Sequence, residues 1–318
     1  MESAERELFE SGVRRAAEAS SGGTLDAALD ELGWRDALAA DRRTAVSVLF
    51  ECQGAANVTS AALDVLLAAA LTPDSTDTAV VLPPLRQGAA PGHVRGDRCH
   101  IAGLGTAALA RSDTAIVVSG DGDDATAFAI ETRLLERRAV HGLDPALGLV
   151  EVSGDVHAQS VASPEPVDWA AALALGQLAL AHELVGAGRA MLELARVHAL
   201  ERMQFGRPIA TFQAVRHRLA ETLVALEAAA ALLDAAWDDP SPVTAPMAKS
   251  FAGRSARSAA RHCQQVLAGI GFTTEHPLHL FIRRTIVLDQ LLGAGSVLTG
   301  QLGTDMLRTA TLPAAFPL

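Results

Sequence analysis

The stretch Arg202-Met203-Gln204-Phe205-Gly206-Arg207-Pro208-Ile209, followed by Phe212-Gln213 and then His217, Leu219 and Ala220, decides how the carboxy-terminal half is read. It interrupts two long apolar-periodic runs. The first begins near Trp169, with Asp168 placed to cap it, and reaches about Met203. The second runs from near Thr211 to Trp237, where Asp238-Asp239-Pro240-Ser241-Pro242 stops it. Gly206 and Pro208 supply turn chemistry between the two helices. A third helix is predicted from Pro246, as an N1-type proline, to Gly269, and further helices over Pro277 to Leu292 and Val297 to Leu307. Together they predict an antiparallel four- or five-helix bundle over residues 167–318.

The amino-terminal part reads differently. From Glu2 to Leu71 the apolar residues recur with helical period, punctuated by Gly22-Gly23 and Gly33-Trp34, which predicts a small helical domain over 1–77. Beyond it the period shortens. Ala79 to Leu82, His100-Ile101, Ala115 to Val118, Ala127 to Ile130 and Leu147 to Val152 have strand character and are separated by Pro91-Gly92, Gly96-Asp97 and Ser119-Gly120-Asp121-Gly122. They predict a middle antiparallel β domain over 78–162, closed by a stiff linker at Ser163-Pro164-Glu165-Pro166. The fold class is α+β, mainly α, in the order helices, sheet, helix bundle.

Composition narrows the chemistry. In a chain of 318 residues a net charge of -11 speaks against a broad nucleic-acid-binding face, although a few arginines can still meet the phosphates of a small cofactor. Hydrophobic residues make up 49% and aromatics only 4%, with no Tyr, so Ala, Leu and Val fill the core. Cys52, Cys99 and Cys263 lack CxxC spacing, which argues against a zinc site and suits a reducing cytoplasm. His182-Glu183 opens like a zinc-binding helix, but Gly186 stands where the second His belongs. Asp121, Asp123 and Asp124 lack the downstream glycine and glutamate of a calcium loop and read as a hairpin turn. MESAERELFESGVRR shows neither signal-peptide nor lipidation pattern, and no window offers about 20 uncharged apolar residues for a membrane helix.

The Arg202 to Gln213 stretch resembles the hinge between the first two carboxy-terminal helices of acyl-CoA dehydrogenases: an Arg, two variable positions, Phe-Gly, a Pro-Ile pair and a Phe-Gln step. Gln265-Val266-Leu267-Ala268-Gly269-Ile270-Gly271-Phe272 with Arg283-Arg284 resembles the family's Gln-x-x-Gly-Gly-x-Gly segment and the helix after it, with Ala268 the one departure in the glycine core. The resemblance implies FAD at a subunit interface. Arg202 would pair with the pyrophosphate, Gln204 and Phe205 would lie against the cofactor, Gln213 and Gln265 would offer amides, and Gly269 would admit the backbone. A solvated inter-helix turn with Arg202 paired to Glu201 is the alternative.

The resemblance also shows what is missing. The family's catalytic glutamate lies either some nine residues after the Arg of the last helical segment or on the long first helix, twenty-nine residues before the hinge Phe. Counting from Arg284 reaches Gly293, and counting back from Phe205 reaches Gly176, and glycine cannot take a proton. Glu183 is the nearest carboxylate, a relocated base or a polar residue at a helix crossing. Val80-Val81-Leu82-Pro83-Pro84-Leu85-Arg86-Gln87-Gly88 replaces the strand that holds the flavin ring and supplies almost no matching polar groups. The expectation is a non-catalytic subunit that completes the FAD site of a catalytic partner in an α2β2 heterotetramer, acting on a bulky acyl-CoA of the steroid side-chain kind. A competent homo-oligomeric flavoenzyme with a relocated base or monooxygenase-type chemistry, and a cofactor-free structural protein, remain open alternatives.

Overall fold

The computed structural model describes residues 3–20, 24–72, 78–157 and 161–310. Five amino-terminal helices, α1 (Ser3–Ala19), α2 (Asp26–Glu31), α3 (Trp34–Ala40), α4 (Arg42–Ala56) and α5 (Ala62–Leu71), precede eight strands. These are β1 (Ala79–Val80), β2 (Gly92–Arg95), β3 (Arg98–Gly105), β4 (Thr114–Ser119), β5 (Thr126–Glu131), β6 (Glu136–Ala139), β7 (Val150–His157) and β8 (Glu165–Pro166). Five helices follow: α6 (Trp169–Glu201), α7 (Gln213–Asp238), α8 (Thr244–Leu267), α9 (Leu278–Gln290) and α10 (Gly295–Thr309). The chain is thus α+β and mainly α, in the expected order of helices, sheet and helices.

Residues form two compact units. The first comprises Met1–Ser60, Ala179–Asp238 and Ala248–Asp289; the second comprises Ala61–Leu178, Asp239–Met247 and Gln290–Leu318. In the first, Met191, Ala195, Ala199, Cys263, Leu278 and Phe281 belong to one small-residue core. The helices approach closely there. A Cβ on Gly54 of α4 would collide with the Glu183 carbonyl of α6, and one on Gly186 with the Glu51 carbonyl, so only glycine permits this crossing. Lys249, the one lysine of the sequence, is fully buried and donates to the Asp289 carbonyl at 3.0 Å. Desolvation lowers its ammonium to about 8.

The sheet lies in the second unit, in the order β6-β7-β3-β2-β4-β5-β8, with β1 paired to β4. It is mixed rather than purely antiparallel, because β1 runs parallel to β4 and Gly92 of β2 pairs in parallel with Ser119 of β4. Three strands escape the sequence pattern. β2 and β6 are mostly exposed, and β8 is two residues of the expected linker, paired to Thr126 and Ala127. The strand predicted at Leu147 to Val152 begins only at Val150, after a 3-10 turn over Pro145–Leu147. Buried Asp64 ties α5 to this sheet, accepting from Val80 N at 3.0 Å and from Thr106 Oγ1 at 2.7 Å. Burial outweighs those bonds and lifts its carboxyl to about 6.

Helix ends follow ordinary capping, with one shift. Asp168 Oδ1 accepts from Ala171 N at 2.8 Å, as expected at the start of α6. α8 starts at Thr244, two residues ahead of Pro246, because Ser241 Oγ accepts from Thr244 N at 3.2 Å and sets the cap earlier. α6 is long and apolar enough to cross a membrane, yet 83% of its most apolar window is buried within the protein, which a buried core helix also satisfies.

Candidate functional site

Between α6 and α7 the chain makes a tight hairpin in which Met203–Gln204 pairs with Arg207–Pro208. Its two-residue turn has positive φ at both positions, 51° at Phe205 and 77° at Gly206, the pattern of a primed hairpin turn. Glycine adopts this freely, whereas a phenylalanine is strained. Phe205 is also 91% exposed, with only an edge-on contact to Phe212 at 6.1 Å. Arg207 stacks over Phe212 at 4.5 Å. Arg202, Gln204 and Gln213 are exposed, and among the described residues Arg202 enters no ion pair, with Glu201 or otherwise. The Arg202 carbonyl accepts from Ile209 N at 2.9 Å, which fixes the hairpin base.

The second motif closes α8. Gln265 is exposed on its last turn, and a Cβ at exposed Gly269 would meet nothing within 4 Å. Ala268, the departure from the glycine pair, has φ of 51°, a left-handed conformation that glycine adopts more freely. Phe272, at the end of the motif, is 74% exposed.

The two counted base positions, far apart in sequence, converge in the second unit. A Cβ on Gly176 would lie 2.5 Å from Leu292 Cδ1 and 3.1 Å from Leu67 Cδ2. On Gly293 it would lie 2.7 Å from Leu298 Cδ2. The space beside both glycines is therefore filled by leucine side chains. Leu292 is fully buried with φ of 51°, and its carbonyl accepts from Gln177 Nε2 at 2.9 Å. A left-handed non-glycine residue costs about 1–2 kcal/mol, so the surrounding leucines and this bond hold the turn. Sequence reasoning missed the leucines, which carry no signal beyond being apolar.

Glu183 sits elsewhere, in the first unit, 2% exposed. Its Oε2 accepts from Gln53 Nε2 at 3.0 Å, and Arg284 Nη1 lies 3.6 Å from Oε1 while donating to the Val58 carbonyl at 2.8 Å. Ser60 Oγ holds Gln53 by donating to its Oε1 at 2.6 Å. A buried carboxylate so held is a structural counter-charge for the fully buried Arg284. Beside it, His182 Nε2 accepts from Trp237 Nε1 at 3.0 Å, and burial lowers the imidazole to about 4.

Along residues 80–88 several backbone donors are already used. Val80 N donates to Asp64, Val81 N to Ile116 O at 2.9 Å and Leu82 N to Leu104 O at 2.8 Å. Arg86 N donates to Gln290 O at 2.8 Å, tying the 83–91 loop to the turn that carries Leu292. Among the described residues no group of three metal-ligating side chains occurs.

A helical domain, a mixed sheet and a helical bundle, in that order, have the fold of solved acyl-CoA dehydrogenases. Residues 169–307 match the family described as acyl-CoA dehydrogenase, C-terminal domain. It is 34% identical over 185 residues to acyl-CoA dehydrogenase IpdE2 of Mycobacterium tuberculosis, covering 57% of this chain and 56% of that protein, so the chain spans about half the length of this curated relative. The same fold occurs in Tcur3481-Tcur3483, a steroid ACAD, at TM-score 0.75 and 21% identity over 96% of both chains. It also occurs in the ChsE4-ChsE5 complex of Mycobacterium tuberculosis, at TM-score 0.74 and 20% identity over 99% of both chains.

Proposed function

We propose that this chain is the non-catalytic subunit of an FAD-dependent acyl-CoA dehydrogenase, completing the cofactor site of a catalytic partner chain. The observation that carries the reading is the leucine-filled convergence of Gly176 and Gly293. The residues fit one half of the cofactor and not the other. Unpaired Arg202, the amides of Gln204, Gln213 and Gln265, exposed Phe205 and the open face of Gly269 suit an ADP moiety reaching in from a partner. In the 80–88 segment the backbone donors of Val80, Val81, Leu82, Arg86 and Gln87 are already committed within the protein, which leaves less to hold a flavin ring. FAD, when bound, accepts the hydride from the acyl β-carbon; this chain holds the pyrophosphate, and the partner supplies the base.

The likeness to a steroid ACAD and to a two-component complex supports an α2β2 assembly acting on a bulky acyl-CoA in the cytoplasm. Exposed Phe205, Phe272, Met203 and Leu200 are apolar surface suited to burial by such a partner. The test is co-expression with a catalytic acyl-CoA dehydrogenase chain encoded beside it. A yellow complex whose flavin is lost on Arg202→Ala, with the assembly mass unchanged, is expected. Unchanged flavin in that variant would favour a structural subunit, and one FAD per chain in the isolated protein would favour a competent homo-oligomer.

A further inference from the structure

The exposed face of the sheet, in the second unit, sets two imidazoles against each other. His93 of β2 and His100 of β3 are direct cross-strand partners in the antiparallel ladder, and both are exposed. Opposed residues of such a pair share one face, with Cβ atoms about 5 Å apart. On the other side of His100, β7 places Asp155 directly opposite. Its Oδ1 lies 3.4 Å from His100 Nδ1. A carboxylate there favours the proton on Nδ1 and leaves the Nε2 lone pair free, the arrangement in which an imidazole ligates a metal.

The surrounding groups decide how many ligands the face offers. His157 stands opposite Arg98 in the same ladder, and its Nε2 is engaged by Arg98 Nη1 at 3.4 Å. Asp155 Oδ1 accepts from Arg98 Nε at 2.7 Å, so the carboxylate is held by the guanidinium and serves to orient His100. Cys99 lies between Arg98 and His100 on β3 but is buried on the opposite face. Two imidazoles remain, in keeping with the absence of any three-ligand group among the described residues. The fixed charges beside them balance, Arg95 and Arg98 against Asp97 and Asp155, so these groups do not repel a cation. Metal–nitrogen bonds of about 2.0–2.1 Å place two bound nitrogens about 3 Å apart, within reach of imidazoles on opposed strand positions.

We propose that His93 and His100 bind a divalent transition-metal ion between β2 and β3, through one ring nitrogen each, with water in the remaining positions. Imidazole ligation without thiolate or a direct carboxylate selects zinc, nickel or copper over magnesium and calcium. The ion clips β2, which pairs with β3 over only four residues, to the middle of the sheet. None of the residues assigned to the cofactor takes part, so the site stands whether or not this chain completes a flavin site. The probes are Cu2+ and Zn2+, added to the full chain without a purification tag, alone and in complex with its catalytic partner. Electron paramagnetic resonance of the Cu2+ form is expected to show one saturable site with two imidazole nitrogens, from which Zn2+ displaces the copper. His93→Ala and His100→Ala each weaken Zn2+ binding about tenfold or more and leave a one-nitrogen Cu2+ signal. His141→Ala, at an exposed histidine outside the strands, leaves both unchanged. A one-nitrogen signal in the parent chain, no saturable site, affinity unchanged in both pair variants, or an equal loss in His141→Ala overturns the proposal.

Discussion

The hinge turn and the turn before α10 use the same backbone device to opposite ends. Each places a large apolar residue in the left-handed region just before a glycine: Phe205 and Gly206 at 51° and 77°, Leu292 and Gly293 at 51° and 100°. Phe205 is 91% exposed, whereas Leu292 is fully buried. Strain at Phe205 presents an aromatic ring to a surface that a partner can cover. The Leu292 side chain packs against Gly176, the position proposed for the lost base. One turn exposes its large side chain; the other buries it.

The largest test of that contrast is Gly176→Glu. Restoring a carboxylate at a base position would work if only the residue had been lost. Here its Cβ meets Leu292 and Leu67, and the charge is buried without a partner. A loss of about 4 kcal/mol or more in denaturant stability, with no dehydrogenase activity gained, is expected. Activity in a stable variant would refute a closed site. Glu183→Ala leaves Arg284 buried and uncompensated, and should cost about 3–5 kcal/mol. If Glu183 were instead a catalytic base, Glu183→Gln would abolish turnover with the urea midpoint nearly unchanged.

The turns themselves can be compared by truncation. Leu292→Ala opens a cavity in packed surroundings and should cost about 3 kcal/mol, whereas Phe205→Ala should change the chain's own stability by less than about 0.5 kcal/mol while weakening partner assembly. Equal effects in parallel urea titrations would erase the contrast between them.

Each unit also carries a buried titratable group, and the two oppose each other with pH. His182 titrates at about 4 when folded against 6.5 otherwise, so as pH falls from 6.5 to 4 the unfolded chain takes up the extra proton and stability is lost. Asp64 titrates at about 6 against 3.8, so as pH rises from 3.8 to 6 the folded chain holds the extra proton and stability is lost in the other direction. Each effect amounts to about 3 kcal/mol. Asp64→Asn should therefore uncover acid destabilisation, and His182→Gln the reverse slope. Variant curves parallel to the parent between pH 4 and 6.5 would show that neither group is linked to folding.

Much of this was legible in the sequence, for identifiable reasons. Long helices announce themselves by period and stop signals, and α6 and α7 fall within a few residues of their predicted bounds. Counting from Phe205 and Arg284 pointed to Gly176 and Gly293, and leucines pack beside both. β2 and β6 were illegible because they are mostly exposed and owe their conformation to pairing with β3 and β7 rather than to alternation. The filling by Leu63, Leu67, Leu292 and Leu298 was illegible for the opposite reason, since apolar residues in a core look alike until they converge. Glu183 could be read only as a nearby carboxylate, because Arg284, its buried partner, lies a hundred residues on.

Ala268 gives a further small test, and it separates strain that positions a side chain from strain that does not. It shares φ of 51° with Phe205 and Leu292, but it is exposed and its methyl neither plugs a cavity nor offers a surface. Its conformation belongs to the end of α8, where glycine is the usual occupant. Ala268→Gly removes a left-handed penalty of about 1–2 kcal/mol and gives back about 0.4–1 kcal/mol through the freer unfolded chain. A net gain of about 0.5–1 kcal/mol in denaturant stability is expected, with flavin retention in the assembled complex unchanged. If the glycine variant instead loses flavin, the Ala268 methyl touches the cofactor, and the left-handed turn at the end of α8 is part of the binding surface in the way Phe205 is.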